Sequence, residues 1–171
     1  MNILVLNGSP RVNGNTAAMV AAFAEGAEKK HKVKVLEVCK MDIADCKGCE
    51  YCHTKGNGEC IQKDDMQKVR AALQEADMLV LASPIYYFGL NGQLQCVIHR
   101  FYASGAPKNL KKAMLILSSG SDNVYDGAIY EYKKAFVEFM GLEDMGIFKA
   151  HGEQNKSEAI LSQLKGFGQS L

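Results

Sequence analysis

The chain has no excess of charge of either sign and no long hydrophobic run. Twenty Lys and Arg stand against nineteen Asp and Glu, for a formal net charge of +1. Basic residues are scattered, and the densest group, Lys108, Lys111 and Lys112, reads as a solvated approach to a strand. Nucleic acid is therefore not expected as the main partner, because binding a phosphate backbone needs a concentrated basic face. No apolar segment approaches the roughly 20 residues of a membrane span, and no charged leader precedes a hydrophobic signal core. The expectation is a soluble, cytoplasmic protein with no membrane partner. Gly-x-Gly-x-x-Gly, Gly-Lys-Ser/Thr, His-Glu-x-x-His and any recognisable Ser/His/Asp set are also missing, which removes the dinucleotide fingerprint, the P-loop and the common hydrolytic sites. Without repeats, low-complexity tracts or linkers, 171 residues at 47% hydrophobic and 23% charged predict one α/β domain over 1–171.

What is present begins with the opening stretch, MNILVLNGSPRVNGNT. Ile3, Leu4, Val5 and Leu6 form an apolar run that stops at Asn7-Gly8, the pattern of a strand buried on both faces. Ser9, Arg11, Asn15 and Thr16 then supply hydroxyl, guanidinium and amide donors. Gly8 and Gly14 let the backbone bend toward a ligand, and Asn15 or Thr16 is expected to cap a helix over 17–30. Donors, small residues and a helix N-terminus together make an anion site; the lesser alternative for the stretch alone is a polar turn between a strand and a helix.

Further apolar runs fall at Val33, Val35, Leu36 and Val38, at 78–82, at 113–117 and at 145–149. Helical spacing appears in Met66, Val69, Leu73 and Ala76 behind Asp64-Asp65, in Leu94, Val97, Ile98 and Phe101, over 130–140 ending at Gly141, and over 157–164. Five strands and five helices in alternation predict a three-layer, doubly wound parallel sheet with right-handed crossovers and, at this size, the order 2-1-3-4-5. Ligands of such sheets bind at the carboxyl ends of the strands, where strands 1 and 3 diverge. Three loops share that end: 7–16, 84–91 and 118–125. The second offers Pro84, Ile85, Tyr86, Tyr87, Phe88 and Gly89, an apolar wall with backbone donors, although at least one of its aromatics is expected to pack under the following helix. The third offers Ser119 and Gly120.

Four of six cysteines crowd one segment, Cys46-x2-Cys49-x2-Cys52-x7-Cys60, inside an insertion at about 39–62 that is too long for an idle connection. Three thiolates at two-residue gaps with a fourth further on can wrap a [4Fe-4S] cluster. The same thiols read also as free or redox-active groups, or as a zinc site, although paired Cys-x2-Cys knuckles from separate places are absent. Cys39 and Cys96 read as buried hydrophobes.

NGSPRVNGNT directly after a strand resembles the phosphate loop of the NADPH-dependent FMN reductase and iron-sulfur flavoprotein families, which are flavodoxin-like. SPIYYFGLNGQLQCVIHRFY is similar to their second flavin loop and its helix, with Gln95 where a Lys is usual and His99 where an Asp is usual; His99 reads as a surface or interface residue. ILSSGSDN is similar to their last flavin-contacting segment. The resemblance implies FMN phosphate held by Ser9, Arg11, Asn15 and Thr16, with the ring bracketed by Pro84 to Gly89 and by Ser119 and Gly120. It implies NAD(P)H as co-substrate and a quinone, a flavin or another small molecule or protein as electron acceptor. The flavin carries the chemistry, so no catalytic side chain is expected. A homodimer or homotetramer follows from the same likeness. The alternative is an electron carrier that uses FMN and a [4Fe-4S] cluster with a ferredoxin-type partner.

Overall fold

Runs with no polar alternation become strands covered on both faces, as the computed structural model, which describes residues 1–171, makes plain. Along the chain lie β1 (Asn2–Asn7), α1 (Asn15–Ala27), β2 (Lys32–Glu37), a single turn α2 (Tyr51–Thr54), α3 (Met66–Glu75), β3 (Met78–Pro84), α4 (Gly92–Arg100), β4 (Lys112–Ser119), α5 (Asp126–Tyr132), β5 (Glu143–His151) and α6 (Glu158–Ser170). The five strands form one sheet in the order β2-β1-β3-β4-β5, every pair parallel. This is the doubly wound, flavodoxin-like arrangement the sequence predicts.

Because successive side chains leave a strand on opposite faces, the core is split in two. Leu4, Leu6, Leu79, Leu81, Leu115 and Leu117 bury against Val69 and Leu73 of α3, Leu94 and Val97 of α4, and Tyr132 of α5. Ile3, Val5, Met78, Val80, Met114 and Ile116 bury against Met19 and Phe23 of α1 and Ile160 and Leu164 of α6. On that second face α1 and α6 touch backbone to backbone. A Cβ on Gly168 would stand 2.5 Å from the Phe23 carbonyl oxygen, and one on Gly26 would overlap the Lys165 carbonyl.

Element ends depart from expectation for identifiable reasons. α6 runs six residues beyond Leu164, since Gly166 and Gly168 interrupt its apolar spacing while Gly168 serves the contact with α1. β5 extends beyond 145–149 because polar residues at both ends pair with Lys112 and Ser119 of β4. The helix expected over 130–140 starts at Asp126 and widens into a π-helix over Lys133–Phe139, then stops at Gly141, whose φ of 68° suits glycine. The insertion after β2 contains α2, a helix the sequence does not announce.

Candidate functional site

The carboxyl ends of β1, β3 and β4 open into one crevice of ≈220 Å³. Ser9, Arg11, Asn15, Thr16, Pro84, Ile85, Tyr86, Ser119 and Gly120, all singled out in the sequence, line it together with Pro10, Gly14, Ser118, Gly152 and Asn155. The first loop is folded on itself. The Ser9 amide donates to Asn7 Oδ1 at 3.0 Å, the Ser9 hydroxyl donates to the Arg11 carbonyl at 3.2 Å, and Gly14 donates to the same carbonyl at 3.0 Å. A Cβ on Gly14 would stand 2.9 Å from Arg11 Cβ, so only glycine permits the chain to close this tightly.

Gly14, not Asn15 or Thr16, is the N-cap of α1, and it brings no side-chain cap. The helical ladder starts with Ala18 donating to Gly14, so the amides of Asn15, Thr16 and Ala17 have no acceptor within the protein. The sequence expectation of a side-chain cap fails because the cap position falls on the residue that the tight loop requires to be glycine. The Thr16 hydroxyl is buried and bonded to the Ser118 hydroxyl at 2.7 Å, which ties α1 to the end of β4. Arg11 is exposed. No carboxylate, histidine or cysteine lines the crevice.

The aromatic turn differs from expectation. Tyr86 and Gly89 exchange two backbone hydrogen bonds of 3.1 Å, closing a two-residue turn in which Tyr87 and Phe88 have φ of 47° and 67°. Such turns favour Asn and Gly, and bulky residues there are strained. None of the three aromatics packs under α4: Tyr86, Tyr87 and Phe88 are all exposed, Tyr87 completely. A left-handed turn projects its side chains outward, which overrides their apolarity. Tyr86 reaches the crevice, whereas Tyr87, Phe88 and Gly89 stand outside its lining.

Gly152 and Asn155 are site residues that sequence reading missed. They follow β5, in a segment with no apolar period and no motif. Asn155 is buried, and its Nδ2 donates to the carbonyls of Ser119 and Gly152, both at 2.8 Å. Tyr125 supports Ser119 from behind the lining: its hydroxyl bonds the Ser119 hydroxyl at 2.8 Å and donates to the Ala150 carbonyl. Burial pushes the Tyr125 phenol up, so it stays protonated at neutral pH.

A second cluster lies in the insertion. Cys46, Cys49, Cys52 and Cys60 line one narrow cleft of ≈20 Å³ with His99, Arg100 and Tyr102. All six cysteines are free thiols. No three His, Cys, Asp or Glu side chains stand together as a metal site. Side chains hold this loop down. Arg100 donates to both Asp64 oxygens, at 2.6 and 3.1 Å, and to the Ala44 carbonyl at 2.8 Å, with only 2% and 9% of the Arg100 and Asp64 side chains exposed. Burial works against the Asp64 charge, but Arg100 and the amides of Met66 and Ala44 outweigh it and hold the carboxyl below its usual range. The acidic pair ahead of α3 thus does more than serve the helix end. His99, half exposed as expected of a surface residue, pairs with Asp45 at 2.8 Å. Cys39 and Cys96 are half-buried rather than buried; the Cys39 thiol donates to the Gly8 carbonyl at 2.9 Å behind the first loop.

Residues 1–152 match a family model described as NADPH-dependent FMN reductase. An iron-sulfur flavoprotein of Archaeoglobus fulgidus is 35% identical over 112 residues, 65% of this chain and 50% of that protein. The chain spans about half the length of the iron-sulfur flavoproteins of Archaeoglobus fulgidus that it matches. A Bacillus subtilis protein whose name describes an NAD(P)H-dependent FMN-containing oxidoreductase is 26% identical, covering 94% of this chain and 90% of its own. In three dimensions, an NAD(P)H:quinone oxidoreductase from Methanothermobacter marburgensis shares the fold with a TM-score of 0.81 at 15% identity, over 99% of this chain and 95% of that one. No helix is long and apolar enough to cross a membrane. Since the matched stretch carries all five strands and the three loops that meet at the crevice, the chain belongs to the NADPH-dependent FMN reductase family.

Proposed function

We propose that the protein is an FMN-dependent NAD(P)H oxidoreductase passing electrons from a nicotinamide to a quinone, a flavin or another small acceptor. One observation carries this reading. Of the three unpaired amides at the start of α1, two belong to Asn15 and Thr16, which line a crevice free of acidic side chains, and such donors suit a phosphate of charge about −2. FMN, when bound, supplies the hydride and electron-transfer chemistry.

The chain's residues then bind and orient. Asn15, Thr16 and Ala17 offer their amides to the phosphate, and the exposed Arg11 can close on it with a charge-assisted fork. Ser9 serves by shaping the loop, since its hydroxyl is committed to Arg11. Pro84, Ile85 and Tyr86 form one wall for a flat ring, and Ser119 and Gly120 form the other. Tyr87 and Phe88 offer exposed faces at the rim for a second planar substrate. With no general acid or base on the lining, proton exchange is left to water and to the co-substrate.

The test is reconstitution with FMN followed by anaerobic addition of NADPH and NADH. Bleaching of the visible flavin band is expected, and a protein that retains no FMN overturns the reading.

A second reading is favoured by the convergence of Cys46, Cys49, Cys52 and Cys60 on one cleft. It takes the protein as an iron-sulfur flavoprotein carrying electrons between FMN and a [4Fe-4S] cluster with a ferredoxin-type partner. Four thiols are the right donor chemistry, and the insertion would have to tighten to bring them together. Iron and sulfide assays on protein purified without oxygen decide it. Free thiols throughout support cytoplasmic residence. The exposed Tyr102, Tyr130 and Phe139 support assembly into a dimer or tetramer, which sedimentation checks.

A further inference from the structure

Asn155 stands on the crevice wall, three residues past the end of the stretch that matches the family model. Its side chain is 1% exposed. Both Nδ2 hydrogens are spent on the carbonyls of Ser119 and Gly152. Those two acceptors fix the amide's orientation, because turning it over would set Oδ1 against two carbonyl oxygens. Oδ1 is left buried with no donor in the protein. Nearby groups are occupied: the Ser119 hydroxyl is bonded to the Tyr125 hydroxyl, and the Lys156 ammonium donates to the Asn13 carbonyl at 2.8 Å. A buried acceptor with no donor is expensive to leave so, and buried polar groups are as a rule paired.

We infer that Asn155 Oδ1 is a binding group of the crevice, accepting a hydrogen bond from an O–H or N–H of the molecule that fills it. The same amide ties the loop after β4 to the turn after β5, so its acceptor is held in place before the ligand arrives. This inference rests on the crevice being an FMN site. FMN carries donors of two kinds on its non-phosphate part, the ribityl hydroxyls and the ring N3–H. The bond from Lys156 to Asn13 brings the Asn155 turn against the phosphate loop, and the bond to Ser119 brings it against the third loop. A group between those two loops faces the part of the ligand between phosphate and ring, so the ribityl hydroxyls are the expected donors.

The test compares the affinities of FMN, 3-methyl-FMN and a flavin bearing a phosphopentyl chain without hydroxyls, measured by flavin fluorescence on the wild type and on Asn155→Ala. The wild type is expected to bind the analogue lacking the donor more weakly than FMN, and Asn155→Ala is expected to shrink that discrimination by about two- to twelvefold, the worth of one hydrogen bond. Shrinkage against the phosphopentyl flavin identifies the ribityl chain, and shrinkage against 3-methyl-FMN identifies the ring edge. Discrimination unchanged in Asn155→Ala, with FMN still bound by both proteins, overturns the inference alone. A wild type that binds no FMN overturns the functional reading and this inference with it. Should the alanine form not fold, the wild type decides alone: FMN affinity unchanged both by removal of the ribityl hydroxyls and by methylation at N3 overturns the inference.

Discussion

The crevice and the cysteine insertion are held in opposite ways. The first is placed by main-chain geometry: three loops leave adjacent parallel strands, so the sheet fixes their spacing whatever their side chains are. The second has almost no regular structure, and is fastened by side chains, above all Arg100 on Asp64 and Ala44, with Asp45 on His99 and Tyr102 on Glu50. A site built on strand ends should lose ligand affinity without losing stability when a lining residue is cut. A loop pinned by one buried ion pair should do the reverse.

The strongest way to break that contrast is Arg100→Met. It strands the Asp64 carboxylate in a site where 9% of the side chain is exposed, and a cost of about 3–5 kcal/mol is expected. Urea denaturation reads the total, and hydrogen exchange should place the opening at residues 41–65. Replacing both partners, Asp64→Leu with Arg100→Met, should recover most of the loss. A single variant as stable as the parent would show that the pin lies elsewhere.

Arg11→Ala probes the other region. The side chain is exposed, so the melting temperature should hold while FMN affinity falls by about 1.5–3 kcal/mol, or about 10- to 150-fold, for one lost charge-assisted bond. Fluorescence titration measures it, and a drop in melting temperature with unchanged affinity would reverse the assignment.

Tyr87→Gly sharpens the comparison at the rim of the crevice. The left-handed φ of 47° suits glycine, and a fully exposed ring gives up little burial. A gain of about 1 kcal/mol in stability is expected from thermal or urea unfolding. Destabilisation would mean that the turn is not strained as its dihedrals indicate.

The gentlest perturbation is pH. Asp64 has its folded pKa held below the usual range by Arg100 and two amides acting against burial. A depressed carboxyl contributes stability that is present above its unfolded value of about 3.9 and is lost as pH falls through the lower folded value. Urea midpoints attributable to this pair should therefore be level from pH 7 to 5 and decline below about pH 4. The Leu/Met double variant should lack that component.

Much of this is legible in the sequence. Uninterrupted apolar runs such as 3–6 and 78–82 announce strands covered on both faces, and their alternation with helical spacing announces the parallel sheet and its order. The first loop is legible for the same reason: Gly8, Ser9, Gly14 and Thr16 sit at fixed distances from a strand end and a helix start, and local sequence controls both. The exposure of Tyr87 and Phe88 was not legible, because it follows from a left-handed turn that apolar composition argues against.

What the sequence alone determined is the layer architecture, the end of the sheet at which the crevice opens, and the first of the loops that line it, since each depends on residues within a few positions of one another. Tertiary structure alone decided that Thr16 bonds Ser118, that Arg100 grips Asp64 thirty-six residues away, and that Asn155 closes the crevice from beyond β5. Such pairings join positions far apart in the chain, where no local spacing records them, and only the assembled fold brings them within hydrogen-bonding distance.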